Sequence, residues 1–200
     1  MPRHPDPSLE DRVLRAADAL WKRGGAKALT MRAVARAAGT NTPAVYRRFK
    51  DRNDLVRGIL LRVAERVRKH FEQGETLEDM CEAYLDYALE NPNDYCLFFE
   101  EARLLNVPKG REGPRPIRES RPNFDFAEKM AAKELGGAPE DHTTLALEMW
   151  ALLHGTAMML IGRAIPDGHE QELKVACRAG IKALIEGGRK RSRKDYDPGG

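Results

Sequence analysis

Thr30-Met-Arg-Ala-Val-Ala-Arg-Ala-Ala-Gly39-Thr-Asn41-Thr-Pro43-Ala-Val-Tyr46-Arg-Arg-Phe49 is the stretch whose reading decides the fold. Two short apolar patterns at helical spacing flank a single glycine. Met31, Val34, Ala35 and Ala38 form the first, and Val45, Tyr46 and Phe49 the second. Thr30 is an N-cap candidate for the first helix, and Asn41 or Thr42 for the second, where Pro43 suits the opening turn. Gly39 tolerates the left-handed backbone that a sharp turn demands. The small side chains of Ala35, Ala37 and Ala38 let two helices cross closely. This pattern predicts a helix-turn-helix whose second helix, Thr42 to Phe49, enters the major groove of double-stranded DNA. Val45 and Phe49 are its expected anchors. Thr42, Ala44, Arg47 and Arg48 are expected to point outward.

Working outward, Pro2 to Pro7 reads as a mobile arm, with Ser8 as an N-cap completed by Asp11 three residues on. Val13, Leu14, Ala17, Leu20 and Trp21 then mark a helix that Gly24-Gly25 ends. On the other side, a longer helix opens at Asp51 to Asp54. It carries Leu55, Ile59, Val63 and Val67 at steps of four, closing on Phe71. Further helices are predicted from Thr76 to Asn91-Pro92, from Asn93 to Leu105, from Phe124 to Leu135, from Pro139 to about Ile165, and onward to about Glu186. Pro108 to Arg121 reads as a long loop. The result is an all-α chain of about nine helices with no strand pattern. Residues 8–54 form the helix-turn-helix head, and 51–71 a connecting helix. Residues 75–187 form a helical body, and 188–200 a disordered basic tail.

Charge supports this division. Residues 1–70 hold 17 Lys/Arg against 7 Asp/Glu, whereas residues 71–186 hold 12 against 22. A basic head on an acidic body implies an anionic partner for the head alone. The three cysteines, Cys81, Cys96 and Cys177, are widely spaced and form no pairing motif, as in a reducing cytoplasm. The longest strongly apolar stretch, Met149 to Ile161, is too short to span a bilayer, so no membrane partner is expected. There is no HExxH, P-loop, GxSxG or Cys/His ligand spacing. No enzyme activity, cofactor or metal is expected.

The run from Thr30 to Leu55 resembles the tetracycline-repressor (TetR) family of bacterial transcription regulators. The likeness is dense from about residue 9 to residue 60. It implies an all-helical homodimer with a divergent C-terminal ligand-binding and dimerisation domain. It places Thr42, Pro43 and Ala44 facing bases and Tyr46 on a DNA phosphate. Arg47 and Arg48 fall where the family often has an aromatic residue and a histidine, and contact there is with base or phosphate. Thr30 and Arg32, at the start of the second helix, meet phosphate, and Lys50 clamps the backbone. Tyr46 as a purely core residue, and Arg36 and Arg52 as solvated or salt-bridged charges, remain open alternatives.

Trp150, His154 and Gly155 resemble a C-terminal subclass of the family named for its Trp-His-Gly residues. The family implies that the last two helices pair with those of a dimer mate, with Gly155 and Ala157 permitting close approach. Tyr84, Tyr87, Phe98, Phe99, Phe126, Met130, Trp150 and His154 are pocket candidates for a small apolar effector, or else ordinary core. The expectation is a cytoplasmic, ligand-responsive repressor that releases a palindromic operator when effector binds. The alternative is a DNA-organising or division-linked protein with no small-molecule effector.

Overall fold

The computed structural model describes residues 7–105 and 117–195, and every regular element among them is helical. Ten α-helices follow in order: α1 Pro7–Ala28, α2 Met31–Ala37, α3 Thr42–Tyr46, α4 Arg52–Phe71, α5 Leu77–Glu90, α6 Pro92–Glu100, α7 Ile117–Ser120, α8 Phe124–Leu135, α9 Thr143–Ile161 and α10 Glu170–Asp195. One more helix is present than the periodicity suggested. The extra one is α7, in a stretch read as loop; the rest of that loop, 106–116, lies outside the described residues. The chain divides into two compact units. One contains residues 7–63 with 93–105, and the other 64–92 with 117–195.

In the first unit, α1 begins at Pro7 rather than after a Ser8 cap. Proline presets the helical φ and has no N–H to leave unsatisfied at that position. Ser8 instead accepts a hydrogen bond from Arg12 Nη1 at 2.7 Å, and Asp11 pairs with Arg15 and Arg62. Gly25, at φ 59°, kinks α1 where the Gly-Gly pair marked its end, and a last turn continues to Ala28. Arg52, at the start of α4, closes that turn by donating to the carbonyls of Leu29 at 3.3 Å and Ala26 at 3.4 Å.

The core of this unit gathers Val13, Ala17, Val34, Val45, Leu55, Val56, Ile59 and Leu60, all fully buried. Gly58 is the point of closest approach. A Cβ there would lie 2.7 Å from Leu14 Cδ2 and 3.4 Å from Phe49 Cε1. The helix-interior glycine, itself unfavourable by about 1 kcal/mol relative to alanine, lets the Leu14 side chain of α1 pack directly on the α4 backbone, with Phe49 in contact beside it. From α6, the buried Asp94 carboxylate lies 3.4 Å from Lys22 Nζ of α1.

In the second unit α9 packs against α5, α8 and α10. Leu145, Ala146, Met149, Leu153 and Ala157 are buried along it. The apolar run is longer than the 149–161 stretch suggested. The helical stretch Pro139–Ile161 spans 23 residues, and its most apolar 18-residue window has a mean hydropathy of 1.4, enough by length and composition alone to cross a bilayer; 33% of that window is buried within the chain. Before α9, Pro139–His142 form a 3-10 turn.

The expected disordered tail is corrected as far as Asp195: α10 continues nine residues past Glu186. The expected end of the last helix is near Glu186. Beyond it Gly188 lies in a close contact, where a Cβ would be 2.9 Å from Leu145 Cδ2. Ion pairs from Arg189 to Glu134 at 3.2 Å and from Arg191 to Glu148 at 3.1 Å hold the extension to α8 and α9.

Gly39 sits at φ 64° between α2 and α3. An L-residue there carries a penalty of roughly 1–2 kcal/mol. Gly39→Ala is expected to lower the urea unfolding free energy by about that amount, and Gly39→Asn by less, since asparagine tolerates this region better.

Candidate nucleic-acid interface

The surface of α3 follows from its two caps. Asn41 is extended and its Oδ1 accepts the Ala44 N–H at 2.9 Å, opening the helix one residue before Thr42. On the other side of the turn, Thr30 Oγ1 accepts the Ala33 N–H at 3.2 Å and opens α2. Between them the Thr40 N–H reaches back to Ala35 O at 2.9 Å. The regular span of α3 ends at Tyr46, but its hydrogen bonds continue. Arg47 N–H donates to Pro43 O, and Phe49 N–H to Val45 O at 2.9 Å. The helix read from sequence as Thr42 to Phe49 is therefore five regular residues followed by tight turns.

Burial divides this segment into two faces. Ala44, Val45 and Phe49 are buried at 4%, 0% and 6% exposure. Pro43, Tyr46 and Arg47 are exposed, at positions i, i+3 and i+4 of one helical face. The expectation that Ala44 faces outward is thus corrected. At 100° per residue it shares the inner arc with its neighbour Val45, and its methyl is small enough to let α3 lie close on the head. Tyr46 is 51% exposed, so its ring lies on the surface and the core reading does not hold. Thr42 and Arg48 are half-buried, and Thr30 and Arg32 are exposed at the start of α2. Lys50 is also exposed, with its backbone N–H held by Asp54 Oδ2 at 3.0 Å. Thr30, Arg32, Pro43, Tyr46, Arg47 and Lys50 are therefore all solvent-facing, on or beside the turn.

The eight pocket candidates separate. In the second unit, Phe71 stacks with Tyr84 and with Phe126, each pair of ring centroids 6.1 Å apart. Tyr84 accepts a hydrogen bond from Trp150 Nε1 at 3.2 Å. Trp150 meets Phe124 edge-on at 6.3 Å, and the Arg68 guanidinium lies 4.3 Å over the Phe126 ring. Tyr87 packs on His70 at 5.9 Å. Met130 is buried and His154 half-buried. Phe98 and Phe99 belong to the first unit, where they pack with each other and with Tyr95. A cavity of about 340 Å³ at the α9–α10 turn is lined by Leu160, Arg163, Ile165, Asp167 and Glu170, none of them a predicted pocket residue.

Two features went unread in the sequence. Phe71 is the hub of the aromatic chain although it looked like the end of the α4 stripe. Glu128 is 1% exposed. Its signal was a carboxylate placed four residues after Phe124 within an otherwise apolar face of α8.

A family profile described as "Bacterial regulatory proteins, tetR family" matches residues 13–59, and one described as "Tetracyclin repressor-like, C-terminal domain" matches residues 77–184, more than half of the chain.

The chain belongs to the tetR family.

No curated protein matches it. Among solved structures it is similar to a multidrug binding protein EbrR complexed with imidazole, at 18% identity and a TM-score of 0.63, with 92% of this chain and 94% of that chain covered. A TetR-family member from Streptomyces coelicolor A3 aligns at 16% identity and a TM-score of 0.62, covering 90% and 99%. A TetR variant from Acinetobacter baumannii AYE in complex with minocycline aligns at 17% identity and a TM-score of 0.57, covering 90% and 96%. At these identities the likeness shows the shared all-helical fold. Membership of the tetR family makes this chain a DNA-binding transcriptional regulator with a C-terminal domain of the ligand-binding type, and not an enzyme.

Burial lowers the pKa of His154 below its ordinary value. Between the folded and unfolded values the unfolded chain binds more protons. The neutral imidazole's contribution to stability is therefore intact above about pH 6.5 and is lost as pH falls through the folded value. His154→Gln is expected to flatten the acid-side fall in urea unfolding free energy between pH 7.5 and 5.5. An unchanged profile would count against a buried neutral imidazole.

Proposed function

We propose that this tetR-family regulator is a repressor that binds a palindromic operator as a homodimer and releases it when a small, largely apolar effector enters the helical body. One observation carries the DNA half of this reading: Pro43, Tyr46 and Arg47 share the outward face of α3, with Lys50 exposed just beyond it, while Ala44, Val45 and Phe49 anchor it. In this arrangement Pro43 and Arg47, with the half-buried Thr42, read base edges. Tyr46, Lys50, Arg48, Thr30 and Arg32 position the helix on phosphates. Arg36 adds exposed positive charge, and the head's excess of Lys/Arg supplies the salt-sensitive part of affinity.

The dimer half rests on what α9 and α10 leave uncovered. Leu147, Ala151, Gly155 and Met158 are exposed on α9 at steps of four, four and three. Val175, Ala179 and Ala183 are exposed on α10 at steps of four. A Cβ at Gly155 would meet nothing within 4 Å, so Gly155 leaves room for a partner. Ala157, expected beside it, is fully buried within the chain. A second copy's α9 and α10 would cover this face as a four-helix bundle. The Trp-His-Gly likeness and a cytoplasmic location belong to the same proposal. The aromatic chain from Phe126 through Phe71, Tyr84 and Trp150 to Phe124 is the part of the body suited to an apolar effector.

Gel-shift titration on the protein's own upstream DNA tests the first half. Tyr46→Ala and Arg47→Ala are expected to weaken binding about tenfold or more, as loss of a single contact worth about 1–3 kcal/mol requires, with thermal stability unchanged because both side chains are exposed. Arg48→Ala should lower the salt slope by about one. Unchanged affinity in all three would refute this docking. Gly155→Leu has space in the protomer and is expected to leave the helical content intact while converting the dimer to a monomer in light scattering. A wild-type protein that is already monomeric would refute the dimer.

A further inference from the structure

The second unit contains a charged group that DNA binding and dimerisation leave unused. Glu128 of α8 is 1% exposed. Its Oε1 accepts a hydrogen bond from Thr143 Oγ1 at 2.6 Å and another from Arg118 Nη2 at 3.3 Å. Its Oε2 is buried and accepts no hydrogen bond, although Arg118 Nε stands 3.3 Å away. The same guanidinium also pairs with Glu140. Two carboxylates thus share one cation: Glu140 is 60% exposed and solvated, whereas Glu128 is buried and has, among the described residues, only Arg118 to balance its charge. A buried carboxylate oxygen without a donor is costly, and native structures rarely leave one so.

The surroundings suit one kind of occupant. Phe124 lies one helical turn before Glu128 on α8, about 6 Å along the axis. Trp150 lies two turns beyond Thr143 on α9, and the two rings meet edge-on. Carboxylate and aromatic groups therefore lie along the same α8–α9 seam. Aromatic faces attract organic cations, and the body already uses this on Arg68, whose guanidinium covers the Phe126 ring.

We propose that Glu128 is the seat for a small organic cation with an N–H donor, an amidinium or a primary ammonium, whose flat or apolar body lies toward Phe124 and Trp150. The N–H satisfies Glu128 Oε2, and its charge joins that of Arg118, which Glu140 shares. This inference rests on the effector reading above and gives that effector a chemical class.

The test uses the full-length protein and benzamidine as probe, with neutral benzamide and benzyltrimethylammonium, which has charge but no N–H, as controls. Binding is followed by tryptophan fluorescence and calorimetry. Benzamidine is expected to bind saturably, with both controls at least tenfold weaker. Glu128→Gln should weaken benzamidine binding at least tenfold. Arg118→Ala, which removes the competing internal cation, should strengthen it. Equal binding of benzamide, retention of affinity in Glu128→Gln, or no binding at all would overturn the seat.

If Glu128→Gln fails to fold, Arg118→Ala decides the matter. Benzamidine should restore the thermal transition that this variant loses, and no restoration overturns the proposal. Operator affinity is measured in the same samples. Benzamidine binding that leaves operator affinity unchanged overturns the effector assignment. Salt-sensitive operator binding without benzamidine binding sinks the cation seat and leaves the regulator intact. Absence of operator binding strikes the regulator reading instead, while the benzamidine titration still decides the seat.

Discussion

The contact on which the head depends is the meeting of Gly58, Leu14 and Phe49. Residue 58 has no side chain, so Leu14 of α1 packs directly on the α4 backbone with Phe49 in contact beside it. Phe49 is buried there, and its backbone N–H closes the last turn on Val45. Fixing Phe49 fixes the rotation of α3 about its own axis. That rotation decides that Pro43, Tyr46 and Arg47 face solvent while Ala44 does not. A helix of five regular residues has too little internal stability to hold such an orientation alone. Its caps start it, and tertiary packing aims it.

The same unit holds a second fixed point. The Asp94 carboxylate of α6 is buried within 3.4 Å of Lys22 Nζ, and Asn93 Nδ2 donates to the Lys22 carbonyl at 3.5 Å. Both residues sit in the first turn of α6 and grip the last regular turn of α1, just ahead of the kink at Gly25. Only the carboxylate of this pair is buried, the Lys22 side chain being 44% exposed; removing the lysine would leave a buried charge without its counter-ion, which is expensive. The pair thus holds one geometry. The segment it holds follows directly in sequence from α5 of the second unit.

In the second unit the organising constraint is the apolarity of α9. A helix that is apolar nearly all round must be covered on more than one side. α5, α8 and α10 cover part of it, and the remainder is the exposed face containing Leu147, Gly155 and Met158. The aromatic chain and the buried Glu128 lie on faces already covered within the unit. The uncovered face and the polar seam thus use different sides of one small helical bundle.

The sequence by itself determined the helical class, the helix-turn-helix and its caps. These depend on signals local in the chain: Thr30 and Asn41 before apolar periodicity, a glycine between them, and a basic excess in the head set against an acidic body. It also named Val45 and Phe49 as anchors, because a long apolar side chain on a short helix has one use. The tertiary structure alone decided the rest. Ala44 was ambiguous because a methyl group suits either face, and only the seating of Phe49 resolved it. The last helix is expected from sequence to end near Glu186 because a local rule cannot see Leu145 arriving from another helix beside Gly188. Nothing local in the sequence marks the partners of Arg52, Asp94 and Glu128, which lie ten to more than seventy residues away. Local propensity and capping are written residue by residue, whereas burial is a property of what the rest of the chain brings to each position.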